Sequence, residues 1–140
     1  MLGGSSPTLE ADNSEYGAAL AMLNGASARV RVAKVTPTKV GLFVAVWRRS
    51  ASGSTEPFPA DDPAQTLVVV ARESGNFGAF VFDRAALVSH GIVSIAGVGG
   101  KRGFRVYPPW SHTISVQARR TQEWQCDHFV DLREGLRASS

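Results

Sequence analysis

One cysteine, Cys126, and three histidines are all that this 140-residue sequence offers toward thiol or soft-metal chemistry. A lone cysteine closes no internal disulfide, which fits a reducing compartment, so a cytoplasmic location is expected. The histidines fall at no zinc-type spacing, so neither a metal site nor any other cofactor is expected. Cys126 and His128 stand two residues apart in a segment that reads as helix, where they face different directions and form no nucleophile–base pair. Gly-x-Ser-x-Gly is absent too, which leaves no marked serine nucleophile. The longest apolar stretches, residues 40–47 and 67–71, fall far short of the roughly 20 residues that span a bilayer, so no membrane insertion is expected. Residues 1–7 lack a basic stretch followed by an apolar core, so they carry no secretory signal.

Acidic residues are missing from two long blocks. None occurs between Glu15 and Glu56, where Arg29, Arg31, Lys34, Lys39, Arg48 and Arg49 stand, and none between Asp83 and Glu123, where Arg84, Lys101, Arg102, Arg105, Arg119 and Arg120 stand. The net charge of +3 is modest, but its segregation along the chain points to a basic face and a polyanionic partner.

The length and 44% hydrophobic content suit one domain with one core. Residues 1–12 are read as a flexible leader, 13–133 as the domain and 134–140 as a flexible tail. Asp12 and Glu15 have capping-box spacing, and Tyr16, Leu20 and Leu23 recur at helical spacing, which predicts a helix over 13–23. Ala28, Val30 and Val32 alternate with Arg29 and Arg31, which predicts a strand with an apolar and a basic face. Lys34 continues the apolar parity, so it reaches past the strand end, sits at a bulge or loses its water. Residues 40–48 are apolar on both parities and read as a central strand covered on both sides by helices. Two short strands, 66–71 and 77–82, are predicted to join through Gly75-Asn76 as a hairpin. Asp83 is a good N-cap for a helix through Ser89 that Gly91 would end. Residues 92–96 read as a strand, 97–103 as a glycine-rich loop, 104–107 as the last strand, and 113–133 as helix. The expected fold is α/β, a mixed sheet flanked by helices.

The loop Gly97-Val98-Gly99-Gly100-Lys101-Arg102 is not a nucleotide-hydrolase phosphate loop. Ile95 and Arg102 occupy the positions where that motif requires Gly and Ser or Thr, and a strand rather than a helix follows. Its glycines and two cations can still hold a backbone phosphate; the bland alternative is a solvated turn. A two-metal nuclease would need clustered acids with a lysine near the attacking water, yet Phe58, Ala64, Gly75 and Ala85 follow two residues after Glu56, Asp62, Glu73 and Asp83. Aromatic residues interleave with cations in Trp47-Arg48-Arg49 and from Lys101 to Trp110, the pattern in which rings stack on bases while cations track phosphates.

Three longer stretches carry a resemblance. Residues 31–44 (RVAKVTPTKVGLFV) with Trp47-x-Arg49, residues 100–110 (GKRGFRVYPPW), and Thr121-Gln122-x-Trp124-Gln125 are similar to the MepB family, supported by Glu15-Tyr16, Phe80-Val81-Phe82 and Gly91-Ile92-x-Ser94. The resemblance covers about residues 15–130. It implies a small bacterial protein with a restriction-endonuclease-like fold, a fold that handles nucleic acid, although fold does not dictate function. The catalytic pattern of active nucleases on that fold, Pro-Asp followed by acid-x-Lys, is absent, and Glu15 is the one acid placed where such nucleases carry a helper carboxylate.

The resulting expectation is a nucleic-acid binder, DNA favoured, that does not cleave. Arg31, Lys34, Lys39, Lys101, Arg102 and Arg105 would contact phosphates, Thr36 and Thr38 would belong to the site, and Tyr107 or Trp110 would stack on a base. The alternatives are a nuclease with a migrated motif built on Glu15, Asp62 and Lys34, and a protein-partner module anchored by Trp47, Trp110 and Trp124.

Overall fold

The computed structural model describes residues 8–9, 19–23 and 25–133. Among them the chain forms, in order, β1 (Thr8–Leu9), β2 (Ala19–Leu23), β3 (Ala26–Val32), β4 (Lys34–Val35), β5 (Leu42–Ala45), β6 (Trp47–Arg49), β7 (Thr55–Pro57), β8 (Thr66–Glu73), β9 (Asn76–Asp83), α1 (Arg84–Ser89), β10 (Gly103–Val106), α2 (Val116–Cys126) and β11 (Phe129–Asp131).

The β-branched and aromatic runs of β8 and β9 build the longest hairpin. Asn76 already pairs with Glu73, so the two-residue turn is Ser74-Gly75, one position earlier than expected, and Ser74 accepts a left-handed φ of 56°. Around this hairpin a six-stranded sheet runs β1-β2-β3-β8-β9-β11, with β3 and β8 parallel and the other neighbours antiparallel. A second sheet of order β10-β5-β4 supplies Leu42, Val44 and Val106 to one core with Leu67, Val69, Ala71, Phe80 and Phe82 of the large sheet. Fully burying each of these leucine, valine and phenylalanine side chains contributes about 1.5–3 kcal/mol. The chain is thus a single α/β domain with a mixed sheet and few helices.

Several expectations are corrected. Residues 19–23 form β2, not the end of a helix, because they pair antiparallel with β3; residues 13–18 lie outside the described residues. Thr8 and Leu9, read as leader, pair with β2; the rest of 1–12 and the tail at 134–140 lie outside as well. The parity of β3 is inverted. Its arginine face looks into the main core, where Arg29 pairs opposite Leu67 and Arg31 opposite Val69, while Ala28 and Val30 belong to a smaller cluster on the other face with Val68 and Ala79. Two things make that tolerable. Arg29 donates twice to Asp62, at 2.9 Å each, and both guanidinium groups lie over the Phe58 ring, at 4.4 and 5.3 Å from its centroid.

Lys34 resolves as a strand end. The chain leaves the large sheet at Ala33, whose N–H donates to Val70 C=O at 2.9 Å, and Lys34 opens β4 with its side chain exposed. The run 40–48 is not one doubly covered strand. It breaks into β5 and β6, and Phe43 of β5 is 41% exposed. Residues 92–96 make only isolated bridges, Pro59 to Ser94 and Ile95 to Val98. The helix predicted over 113–133 is α2, capped by Ser115, whose Oγ accepts from Ala118 N–H at 3.0 Å; the chain then turns to add β11 beside β9. Asp83 caps α1 as expected, accepting from Ala86 N–H at 2.9 Å, and Gly91 follows with φ 67°.

Candidate nucleic-acid-binding groove

The site is built on a free strand edge. β10 is the outer strand of the small sheet, and Val46 N–H donates to Arg102 C=O at 2.8 Å. In the alternation of an antiparallel ladder, that bond turns the main-chain groups of Gly103, Arg105 and Tyr107 away from β5. Gln125 of α2, wholly buried, answers two of them: its Nε2 donates to Arg105 C=O at 2.9 Å and its Oε1 accepts from Tyr107 N–H at 2.8 Å. One turn earlier, Gln122 Nε2 donates to Pro108 C=O and Ser111 C=O, both at 2.9 Å, and its Oε1 accepts from Thr113 Oγ1 at 2.9 Å. A largely polar helix is therefore docked by two amides. Its apolar anchor is Trp124, 5.4 Å from Phe82 by ring centroids and stacked flat on His90 at 3.6 Å.

Between β10 and α2 lies an open groove of about 440 Å³, lined among others by His90, Lys101, Gly103, Arg105, Tyr107, Gln117 and Thr121. A second part of about 280 Å³ adds Thr38, Lys39 and Ile114 and shares Arg105, Tyr107, Ser115 and Ala118 with the first, so the two adjoin. Among the described residues, no carboxylate lines either part. Loop 36–41 sets the orientation of Arg105: its guanidinium donates to Val40 C=O at 3.1 Å, to Gly41 C=O at 3.3 Å and to Thr36 Oγ1. Gly41, at φ 83°, lets the Tyr107 ring approach so closely that a Cβ would lie 2.7 Å from Cδ1. Lys101 is anchored by its own N–H, which donates to Ile92 C=O at 2.9 Å.

Burial, and then the neighbouring His128, hold the His90 imidazole below its ordinary pKa of 6.5. Cys126 is pushed the other way, up from 9.0, by burial and then by Asp127, and its thiol faces Tyr107 C=O at 3.5 Å. A thiol so placed is a packed side chain rather than a nucleophile.

Five of the ten residues expected to touch nucleic acid line this groove: Thr38, Lys39, Lys101, Arg105 and Tyr107. Thr36 supports it through Arg105. Four do not belong to it. Arg31 is 0% exposed, because its strand face points into the core. Lys34 sits on β4, the opposite edge of the small sheet from β10. Arg102 turns to Thr55, donating to its C=O at 3.1 Å, and lines a different depression with Arg48 and Gly100. Trp110 donates from Nε1 to Glu73 at 3.0 Å and packs edge-on against Phe129, so its ring is taken. Of the nuclease candidates, Asp62 is held by Arg29 and Glu15 lies outside the described residues. Sequence reasoning missed His90, Gln117, Thr121 and the role of Gln125. The last was visible only as part of Thr121-Gln122-x-Trp124-Gln125.

Residues 10–131 match the family model described as MepB-like. The chain belongs to the MepB-like family. A crystal structure of MepB shares 33% sequence identity with it and superposes with a TM-score of 0.86, covering 91% of this chain and 86% of that one. No curated protein matches the sequence significantly. The β10–α2 groove is thus carried on a MepB-like domain, and no helix among the described residues is long and apolar enough to cross a membrane.

Proposed function

We propose that this MepB-like domain is a cytoplasmic nucleic-acid-binding protein, with DNA the favoured ligand, that grips phosphates in the β10–α2 groove and does not cleave them. One observation carries the reading: Lys39, Lys101 and Arg105 line two adjoining parts of a groove in which, among the described residues, no carboxylate takes part. Such a lining repels acidic ligands nowhere and supplies the electrostatic term that dominates nucleic-acid affinity. In the same reading the mixed sheet is restriction-endonuclease-like, with nuclease chemistry lost. Asp62 supports that loss, since a carboxylate held by Arg29 through both oxygens has little left for a metal ion. The three tryptophans also favour a nucleic-acid ligand over a protein partner. Trp110 and Trp124 are committed within the chain, and Arg49 lies over Trp47 at 5.3 Å.

The test is fluorescence anisotropy of labelled oligonucleotides across salt concentrations, with magnesium present and the products run on a gel afterwards. Three phosphate-neutralising cations give a logarithmic salt slope of about −2 to −2.7, or roughly a 20- to 40-fold loss of affinity between 50 and 200 mM salt. Lys101→Ala is expected to reduce that slope by about 0.7–0.9. Absence of binding at low salt, or a slope near zero, would refute the reading, and magnesium-dependent fragments would restore the nuclease alternative.

A further inference from the structure

Resting on the reading of the groove as a nucleic-acid site, we infer that it accepts an unpaired strand rather than a duplex, with one base seated against Tyr107. Lys39 and Lys101 are exposed and Arg105 is half-buried, and all three border one elongated depression rather than a flat face. Lys101, Arg105 and Lys39 lie along a cleft between a strand edge and a helix, with total room of a few hundred Å³. A duplex carries its phosphates on a convex surface with a major groove about 12 Å wide. It would rest on the rim of such a cleft without entering.

The rest of the lining points the same way. Gln117, Thr121 and Ser115 line the cleft with neutral polar side chains, the Ser115 hydroxyl also capping α2, and the main-chain groups of Gly103 turn away from β5 at the strand edge. Such neutral donors and acceptors can serve phosphate oxygens on any nucleic acid, but inside a cleft they are also placed to meet bases that an unpaired strand can turn inward. They match the base edges of an unpaired nucleotide, which in a duplex are spent on pairing. Tyr107 lines both parts of the cleft, between Lys101 and Lys39, and its ring is seated by contact with Gly41. An aromatic ring flanked by cations along a strand-sized track is the arrangement that holds single strands without duplex-style readout.

The experiment compares a labelled 12-mer with its own duplex by anisotropy at one salt concentration, using the full chain and two variants. Tyr107→Ala removes the ring, with Tyr107→Phe as the ring-retaining control. Ala118→Phe fills the point shared by both parts of the cleft from an exposed helix and does not touch the core. The wild type is expected to prefer the single strand by at least tenfold. Tyr107→Ala should lower single-strand affinity roughly 5- to 150-fold, the range for one lost base stack. Ala118→Phe should bring the ratio of single-strand to duplex affinity close to one, and circular dichroism confirms that each variant is folded. Equal or tighter duplex binding by the wild type overturns the single-strand inference and leaves the nucleic-acid reading standing, as does an unchanged ratio in folded Ala118→Phe. Failure to bind either form overturns both.

Discussion

Gln125 makes the groove possible, and its replacement tests the architecture directly. Gln125→Leu keeps roughly the same volume while removing the two hydrogen bonds that join α2 to the free edge of β10. The Arg105 carbonyl and the Tyr107 N–H are then left facing hydrocarbon. Each buried polar group so stranded costs about 1–3 kcal/mol, which sums to roughly 2–6 kcal/mol for the pair. A domain of this size has only about 5–15 kcal/mol to lose. Gln125→Glu separates the two bonds. A carboxylate still accepts from Tyr107 N–H but sets an oxygen against the Arg105 carbonyl, so the ionised form is disfavoured and its folded pKa rises above the ordinary ~4.3. The sign follows: the defect of Gln125→Glu is full well above that folded pKa and shrinks as pH falls through it, because the protonated acid can donate to Arg105. The leucine variant has no such recovery. Urea unfolding followed by tryptophan emission and far-ultraviolet circular dichroism, at pH 7.5 and at pH 5, measures both. A leucine variant within about 0.5 kcal/mol of wild type, a margin typical of inert surface changes, would refute the claim that this amide bridge holds α2.

Two further outcomes follow from the site. Burial and the neighbouring His128 lower the His90 pKa, but a phosphate in the groove beside it favours its protonation against the opposing charges of Lys101 and Arg105; oligonucleotide affinity should therefore rise as pH falls from 7.5 to 5.5 in wild type. In His90→Phe, which keeps a flat ring on Trp124, that dependence should largely disappear, and an unchanged pH profile by anisotropy would exclude His90. Gly41→Ala places a methyl 2.7 Å from both Tyr107 Cδ1 and the Val106 carbonyl oxygen at a left-handed φ of 83°. The conformation alone costs about 1–2 kcal/mol, so thermal unfolding should shift down by at least several degrees and Tyr107 fluorescence should change; an unshifted transition would mean the loop is free to move.

What could be read from the sequence divides along physical lines. Signals closed within a few residues held: Asp83 caps α1, and the β8–β9 runs pair across a two-residue turn. Signals that depended on distant partners did not. The helical spacing around Leu20 and Leu23 is real, but the open edge of β3 recruits that segment into the sheet. Counting Arg29 and Arg31 as a solvated face failed because Asp62 and Phe58, about thirty residues on, make the buried side the better place for them. The helix predicted through 133 stops early because Phe129 fills space over the hairpin that Gly78 leaves open; a Cβ there would lie 2.2 Å from Phe129 Cζ. A glycine inside a strand is itself the clue to such a close approach.

The groove repeats this division. Its charge was legible, because two acid-free blocks announce cations whatever the fold. Its shape was not, since nothing local distinguishes Lys101 and Arg105, which share the cleft, from Arg102 between them, which turns to Thr55. Neighbours on a strand point to opposite faces, so alternation over 101–105 separates Arg102 from Lys101 and Arg105 once β10 is known to start at Gly103. The cleft itself needed the α2 amide that closes the strand edge 18–20 residues later. A surface strand edge left open invites pairing with another chain. Capping part of it with a glutamine from a helix protects the edge, and the same two elements border the groove in which we propose that a ligand strand lies.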